Sequence, residues 1–369
     1  MTQPPPRLFR AIGFMSGTSL DGLDAAILET DGRDHVRPLA FLGAAYDAPW
    51  RARLRNILGP PHPENADEIR ACEEILTRRH SDHVHELLRH AGMTPRDVDV
   101  VGVHGQTLWH RPQERVTIQI GDGALLARLL GLPVVHQFRL NDVQTGGQGA
   151  PLVPVYHRAL TAACPKPLAV LNIGGVANVT WIGSPDEADL VAFDVGPGNA
   201  LLDDWLLRTT GRAYDEGGAL AATGRPDEAW LAAFLAHPFF AAPPPKSLDR
   251  AAFHALPLPP GTSPADGAAT LTHATARAIT RGLQHLPALP RRLYVTGGGR
   301  LNTTLLFLLH NLVAPATVVG TIESLGANGD ALEAEAFAYL AVRSILGLPL
   351  SFPGTTGVPT PMTGGIVVR

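Results

Sequence analysis

The feature that most constrains the fold is a pattern of short apolar segments, each ending in a glycine-rich turn, that occurs twice. In the first half, three strands are predicted at residues 7–14, 23–30 and 36–46. In the second half, three more are predicted at residues 168–175, 176–183 and 190–196. A glycine turn follows the first strand of each set, and helices alternate with strands afterwards. The pattern therefore predicts a duplicated α/β unit.

The helical segments with apolar periodicity lie between these strands and after them. They are predicted near residues 66–91, 122–130, 199–208, 268–285, 301–312 and 329–346. Between them, residues 211–265 are rich in proline and less periodic, so this segment is interpreted as an elaboration of the second half. Its role stays open between a lid over a ligand and a surface addition.

Several common nucleotide and hydrolase motifs are absent. A P-loop needs a lysine directly after its glycines, and the only lysines are Lys166 and Lys246, neither of which follows such a loop. The chain has no Gly-x-Gly-x-x-Gly and no Gly-x-Ser-x-Gly. His85 and His90 are five residues apart, so they cannot share a helix face as the two histidines of a zincin do.

Composition narrows the class of protein further. The 369 residues suffice for two domains, and the net charge of −4 provides no basic field for nucleic acid. No run reaches the roughly 18 apolar residues of a membrane span, and prolines interrupt the N-terminal segment where a signal peptide would be apolar. Two distant cysteines, Cys72 and Cys164, exclude a disulfide framework. We expect a cytoplasmic protein with a small-molecule partner and no membrane or nucleic-acid partner.

Glycine turns at strand ends are the candidate ligand-binding features. They lie at residues 17–22, 174–178, 196–199 and 297–300. Such turns expose backbone N–H groups that can approach phosphate oxygens closely, although a tight hairpin also requires glycine. Asp21 and Asp24 could hold Mg²⁺ directly or through water. Two equivalent turns in two halves favour a nucleotide site.

These motifs, taken in order, resemble the anhydro-N-acetylmuramic acid kinase family. The resemblance rests on segments spread from residue 12 to about residue 340, namely 15–24, 103–107, 110–112, 138–142, 146–154, 172–178, 193–199, 296–302 and 330–334. It implies two ribonuclease H-like (actin-like ATPase) domains with an ATP cleft between them. Residues 1–165 and about 347–369 would form the first domain, and residues 166–346 the second.

The resemblance also implies an activity. Members of the family use ATP to phosphorylate O6 of 1,6-anhydro-N-acetylmuramic acid while water opens the anhydro ring at C1. The product is N-acetylmuramic acid 6-phosphate, and the reaction recycles cell-wall fragments. ATP and Mg²⁺ are the implied cofactors, and a homodimer is a further possibility.

Two carboxylates carry the implied chemistry. Asp194 matches the general base that activates water, and a carboxylate at a strand end beside a helix N-terminus suits proton abstraction. The alternative is a helix-capping or Mg²⁺-holding aspartate. Glu333 is the implied second carboxylate near the water and the sugar, and its alternative is an ordinary first-turn glutamate.

The resemblance assigns the remaining residues to ligands. The phosphate and nucleotide set is Gly17, Thr18, Ser19, Leu20, Asp21, Gly22, Leu23, Asp24, Gly174, Gly175, Asn178, Gly297 and Gly298, with Asp21 as the candidate Mg²⁺ ligand. The sugar set is Gln106, Thr107, Arg139 and Asp142. A guanidinium such as that of Arg139 can bind the lactyl carboxylate through two hydrogen bonds. Buried polar residues that satisfy the backbone are the alternative for the others.

One position departs from the family pattern. The family usually has an aspartate just before the Phe138-Arg139 pair, whereas this chain carries His136 and Gln137. Glutamine keeps hydrogen bonding and loses the charge. Two other functions are also compatible with the sequence: a related kinase for another sugar or small acid, and a nucleotide-dependent sensor without turnover. The two retained carboxylates favour a kinase over a sensor.

Overall fold

The computed structural model describes residues 7–17, 20–248, 252–253 and 255–369. Thr18 and Ser19, two of the predicted phosphate ligands, lie outside the described residues. The chain divides into two compact units, Met1–Ala162 with Ala331–Arg369, and Ala163–Asp330. No helix in the described ranges combines the length and apolarity needed to cross a membrane.

The elements of the first unit are given in chain order. Its strands are β1 (Phe9–Met15), β2 (Gly22–Thr30), β3 (Val36–Ala45), β4 (Val100–Val103), β5 (Gln106–Arg111), β6 (Val116–Ile120) and β7 (Val134–His136). Its helices before residue 163 are α1 (Ala48–Asn56), α2 (Ala66–His90), α3 (Gly123–Leu130), α4 (Leu140–Gln144) and α5 (Pro154–Leu160).

The second unit and the returning C-terminal segment complete the chain. The second unit contains β8 (Leu168–Ile173), β9 (Val176–Ile182), β10 (Leu190–Pro197), α6 (Ala200–Thr210), α7 (Glu228–Leu235), α8 (Pro264–Leu283), β11 (Arg292–Thr296), α9 (Thr303–Val313) and β12 (Val318–Thr321). The C-terminal segment adds α10 (Leu332–Ile345), α11 (Pro353–Thr356) and β13 (Ile366–Val368) to the first unit.

The two units share one topology. The first sheet has the order β13-β7-β4-β1-β2-β3, and the second has the order β10-β9-β8-β11-β12. In each sheet, the first three strands along the chain pair in an antiparallel manner. Two later strands then pair in parallel on the free side of the first strand. This common order, with β13 as an extra edge strand in the first unit, is the predicted ribonuclease H-like duplication. The predicted α/β class is confirmed.

Helix α10 belongs to the first unit, whereas the predicted boundary at residue 347 placed it in the second. The reason is a close backbone approach. A Cβ atom at Gly13 in β1 would overlap the α10 backbone at Ala334 and Ala338, and one at Gly102 in β4 would overlap it at Phe337. Glycine in these strands therefore lets the helix lie directly on the sheet.

The opposite face of the first sheet carries α2. Ile12 and Phe14 flank Gly13 in β1, and side chains alternate along a strand, so these two point away from α10. They join a buried cluster with Leu76 and Val84 of α2. The first sheet is thus covered on both faces by helices.

The second unit has its core on the side of α8 and α9. Alternate residues of the strands, such as Leu171 and Val179, pack against Ile279 of α8 and Leu305 of α9. The proline-rich segment forms a separate aromatic cluster in which Trp230, Phe234 and Phe253 pack beside α6 and α8. The described part of that segment thus forms a second core of this unit together with α6 and α8.

Candidate active site

The turn after β1 is pinned at several points. Leu20 is buried with φ of 60°, a left-handed conformation that is unusual for a residue with a branched side chain. Its backbone N–H donates to the Gly17 carbonyl at 3.1 Å, and the Tyr46 N–H donates to the Asp21 carbonyl at 2.9 Å. Asp21 itself is exposed at this turn, while Leu23 is buried and Asp24 is half-buried. The described residues of the turn therefore present the Asp21 carboxylate from a backbone that is fixed by hydrogen bonds.

Gln106 stabilises the start of this turn through hydrogen bonds of its side chain. The side chain is fully buried; Oε1 accepts from the Ser16 hydroxyl at 2.7 Å, and Nε2 donates to the Gly17 carbonyl at 3.3 Å. Gly22 is also explained by packing, because a Cβ there would overlap the Ala44 carbonyl of the neighbouring strand. In the structure Gln106 thus holds the turn after β1, and its contact with the sugar stays a prediction.

The carboxylate of Asp142 likewise accepts hydrogen bonds from other residues of the protein. It is buried, and its carboxylate accepts from the Gly149 N–H at 2.6 Å and from the Thr356 hydroxyl at 2.5 Å. These bonds fix residues 146–149 next to α4.

Among the predicted sugar residues, Thr107 is half-buried, with its hydroxyl 3.5 Å from Gln119 Nε2.

Arg139 is the cation of the first unit's site. Its Nη1 donates to the Gly149 carbonyl at 2.6 Å, and Nε and Nη2 both reach Nε2 of His104, at 3.3 and 2.9 Å. Desolvation lowers the pKa of Arg139 to about 10, which leaves it cationic at neutral pH, and the charges of Glu333 and Asp142 oppose the decrease. Gln137, two residues earlier, has φ of 56° and donates to the Gln119 carbonyl at 3.1 Å.

Glu333 lies in the first turn of α10, in the same unit as Arg139. The side chain remains exposed, yet desolvation by the surrounding protein raises the pKa of its carboxyl, and the attraction of Arg139 opposes that increase. The charges of Arg139 and Glu333, which are distant in sequence, therefore act on each other within the folded unit.

A polar row crosses the second sheet at one end of its strands. Asp194, Asn178, Asn172 and Thr296 are successive partners on β10, β9, β8 and β11. Directly paired residues point to the same face, so these four side chains form one row. A bulge follows Asp194, because Gly196 and not Val195 pairs with Ala177. Bulges redirect side chains, and they are common beside active sites.

Asp194 has the properties of a general base. Its backbone N–H donates to the Lys246 carbonyl at 3.0 Å, and its Oδ2 accepts from the Leu248 N–H at 2.7 Å. Desolvation raises the pKa of Asp194 to about 6, with the Leu248 hydrogen bond as the opposing effect. A carboxylate with this pKa is ionised at neutral pH and is basic enough to accept a proton from water.

The glycine turns of the second unit provide space that packing does not require. A Cβ atom would come no closer than 3.7 Å to another atom at Gly174 or Gly175, and 3.8 Å at Gly298. None of the three has a left-handed φ. Neither conformation nor packing explains these glycines, so their effect is to leave the backbone accessible to a ligand. Gly297 differs, since its φ is 74° and a Cβ would overlap Asn172 Oδ1.

Arg300 holds the Gly297–Gly298 turn, and the sequence interpretation gave it no role. Its buried guanidinium donates to the Gly297 carbonyl at 3.1 Å, to Glu323 at 2.6 Å and to Asp330 at 2.9 Å. A buried arginine needs hydrogen-bond acceptors or acidic partners around it. The sequence feature that could have identified this supporting role is therefore an arginine directly after a glycine turn.

Mg²⁺ fits this site only as a partner of phosphates. Within the described ranges no three His, Cys, Asp or Glu side chains converge on one point. Magnesium commonly uses one or two carboxylates together with substrate phosphates and water. The exposed carboxylate of Asp21 at the pinned turn is of this kind.

A duplicated ribonuclease H-like topology with accessible glycine turns and a desolvated carboxylate is the arrangement expected of a nucleotide-dependent kinase, and the relatives of this chain are kinases. The anhydro-N-acetylmuramic acid kinase family model matches residues 9–369. The kinase of that name from Rhizorhabdus wittichii is 55% identical over 97% of this chain and 98% of its own length. The one from Rhodospirillum rubrum is 52% identical over 96% and 93%. The chain belongs to the anhydro-N-acetylmuramic acid kinase family.

Among solved structures, component A of (R)-2-hydroxyglutaryl-CoA dehydratase from Acidaminococcus fermentans aligns with 90% of this chain and 99% of its own. The identity is 14% and the TM-score 0.48, so this likeness is too distant to bear on function.

Proposed function

We propose that this chain converts 1,6-anhydro-N-acetylmuramic acid, ATP and water into N-acetylmuramic acid 6-phosphate and ADP. The observation that carries the proposal is Asp194, a desolvated carboxylate with a pKa of about 6 that lies directly before a strand bulge and accepts a hydrogen bond from the Leu248 N–H. An ordinary sugar kinase deprotonates a hydroxyl, whereas this reaction requires a base for water. The cellular role would be recycling of cell-wall fragments in the cytoplasm, where ATP is available.

In this mechanism Asp194 removes a proton from the water that attacks C1. The C1–O6 bond breaks as the new C1–O bond forms, and O6 accepts the γ-phosphoryl group of ATP. Asp194 then releases its proton to solvent. Proton transfer by a positioned group typically contributes 10²- to 10⁴-fold to a rate.

The other residues bind and orient. Arg139 would hold the lactyl carboxylate, and Glu333 beside it would contact the water or the sugar. The backbone at Gly174, Gly175 and Asn178 would contact phosphates, and Gly297 with Gly298 would border the adenine and ribose. The turn of residues 17–24 would hold the β- and γ-phosphates. Mg²⁺ bound with the help of Asp21 would neutralise charge on the phosphates.

The experiment is an isotope assay with ATP, Mg²⁺ and 1,6-anhydro-N-acetylmuramic acid in ¹⁸O-labelled water, analysed by mass spectrometry. We expect a phosphorylated product with one ¹⁸O at C1, formed by wild type and lost in Asp194→Asn. A phosphorylated product without label would indicate a conventional hydroxyl kinase. Binding of ATP without any product would favour another substrate or a sensor.

A further inference from the structure

We propose that His104 is a positioning residue that orients Arg139 toward the carboxylate of the sugar substrate. This inference rests on the proposed function, because it assigns to Arg139 a carboxylate ligand. His104 follows β4, is buried, and lies within hydrogen-bond distance of Arg139 through Nε2. It does not itself contact the substrate.

The surroundings of His104 select one tautomer. Its Nδ1 lies 2.7 Å from the Gly105 carbonyl and 3.2 Å from the Ser16 carbonyl, so Nδ1 carries the proton and donates it. Nε2 then keeps its lone pair as an acceptor for Arg139. Desolvation and the charge of Arg139 lower the pKa of His104 to about 3, so the ring is neutral across the physiological range.

The hydrogen bonds of Arg139 within the protein determine which of its N–H groups remain available for a substrate. A guanidinium has five N–H bonds. His104 engages the Nε–H and one Nη2–H, and the Gly149 carbonyl engages one Nη1–H. One hydrogen remains on Nη1 and one on Nη2. Both of these hydrogens are donors that can bind a substrate carboxylate, each through a charge-assisted hydrogen bond.

His104 also contacts two other parts of the first unit. Its ring packs against Phe337 with centroids 4.8 Å apart, and Phe337 is one helical turn after Glu333 on α10. The Ser16 carbonyl that faces Nδ1 lies at the start of the phosphate turn. One buried ring therefore links Arg139, the helix of Glu333 and the base of the turn.

A matched pair of variants separates positioning from general stability. In His104→Gln, Oε1 can replace Nε2 as the acceptor for Arg139. In His104→Asn, the shorter side chain can replace only the Nδ1 donor. We expect Asn to lower kcat/KM for 1,6-anhydro-N-acetylmuramic acid about 10- to 100-fold, mainly through KM of the sugar, as for a lost hydrogen bond to a charged group. We expect Gln to stay within a few-fold of wild type for the sugar, and Asn, which keeps the Nδ1 donor, to leave KM for ATP unchanged.

The coupling to Arg139 provides a second test. If His104 acts through Arg139, adding His104→Asn to Arg139→Ala lowers kcat/KM no further. Long-range ¹H–¹⁵N spectra of wild type and Arg139→Ala should show the Nδ1–H tautomer in both, with a shifted Nε2 resonance in the variant. This spectrum tests the contact even if a His104 variant fails to fold.

Three results would overturn the inference: wild-type kinetics in His104→Asn, additive losses in the double variant, or an Nε2 resonance unaffected by Arg139→Ala. Failure of the proposed function would be distinct, since wild type would then form no product from this sugar.

Discussion

At the scale of single residues, Asp194 should set the pH dependence of the reaction. Its pKa of about 6 means that the base becomes protonated as pH falls through 6. We therefore expect kcat/KM for the sugar to fall about tenfold per pH unit below 6 and to reach a plateau above about 7. Steady-state rates in buffers of constant ionic strength from pH 5 to 8 measure this. A profile that is flat between pH 5 and 7 would contradict the assignment.

The same residue makes a prediction about stability. A carboxyl whose pKa is raised on folding binds its proton more tightly in the native state, so its contribution to stability is greatest below pH 4 and is lost as pH rises through 6. Asparagine at position 194 has no carboxyl to ionise, so Asp194→Asn does not lose stability as pH rises through 6. Its amide oxygen still accepts a hydrogen bond from the Leu248 N–H. The difference in Tm, variant minus wild type, should thus be more positive at pH 8 than at pH 4.5. An equal difference at both values would show that Asp194 is not desolvated.

At the scale of elements, the glycine turns should differ in what they contribute. Gly175→Ala adds a methyl group at ordinary van der Waals distance from Ala200 Cβ, so we expect ATP to bind roughly tenfold more weakly while the unfolding free energy stays within about 1 kcal/mol of wild type. Gly297→Ala forces a left-handed alanine against Asn172, so we expect a loss of about 1–3 kcal/mol in unfolding free energy. Nucleotide titration and urea unfolding separate the two effects. If Gly175→Ala bound ATP normally, the accessible backbone would not be a nucleotide contact.

The close contact of α10 with β1 should be sensitive to a single carbon atom. Gly13→Ala would push a Cβ into the backbone of α10, and we expect unfolding free energy to fall by about 1–3 kcal/mol. Gly320→Ala in β12 is the control, because the nearest atom would be Ser324 Oγ at 3.6 Å. Urea unfolding of both variants measures the difference. Equal stability of the two would mean that α10 is not packed as described.

At the scale of the whole molecule, the second unit is a continuous insertion within the first. Residues 163–330 expressed alone should fold cooperatively, because their five-stranded sheet and core are complete. Residues 1–162 alone should not, because their sheet lacks the edge strand β13 and the helix α10 that covers one of its faces. Circular dichroism melting curves compare the fragments. A cooperative transition in the 1–162 fragment would show that α10 is dispensable.

The sequence predicts the local pattern well and the long-range associations poorly. The central strands and the long helices α2 and α8 follow from periodicity, and the topological duplication follows from the two three-stranded openings. The short helix α4, with five residues, covers too little of the chain for a helical period to be recognised. The placement of α10 depends on contacts with β1 and β4, and its signal was a glycine within each of those strands.

In the candidate site, too, the sequence predicts local features and does not predict long-range contacts. Residue types in turns predict Asp194, Arg139 and the glycines, because the chemistry needs a carboxylate, a guanidinium and exposed backbone. The pattern cannot distinguish a ligand contact from a supporting bond. Gln106 and Asp142 illustrate this, since their polar atoms form hydrogen bonds with Ser16, Gly149 and Thr356, while their predicted contacts with the sugar stay predictions. Only three-dimensional neighbours reveal that.

The return of the C-terminal segment to the first unit bears on how the protein is made. Strands β1 and β4 leave the ribosome early, while α10, which lies directly on their glycines, is among the last elements to emerge. The inserted unit can fold in the interval, since domains fold as units during synthesis. The first unit must wait with one face of its sheet uncovered. A nascent chain that stalls after residue 330 would therefore be a natural client for chaperones, whereas one released with α10 would not.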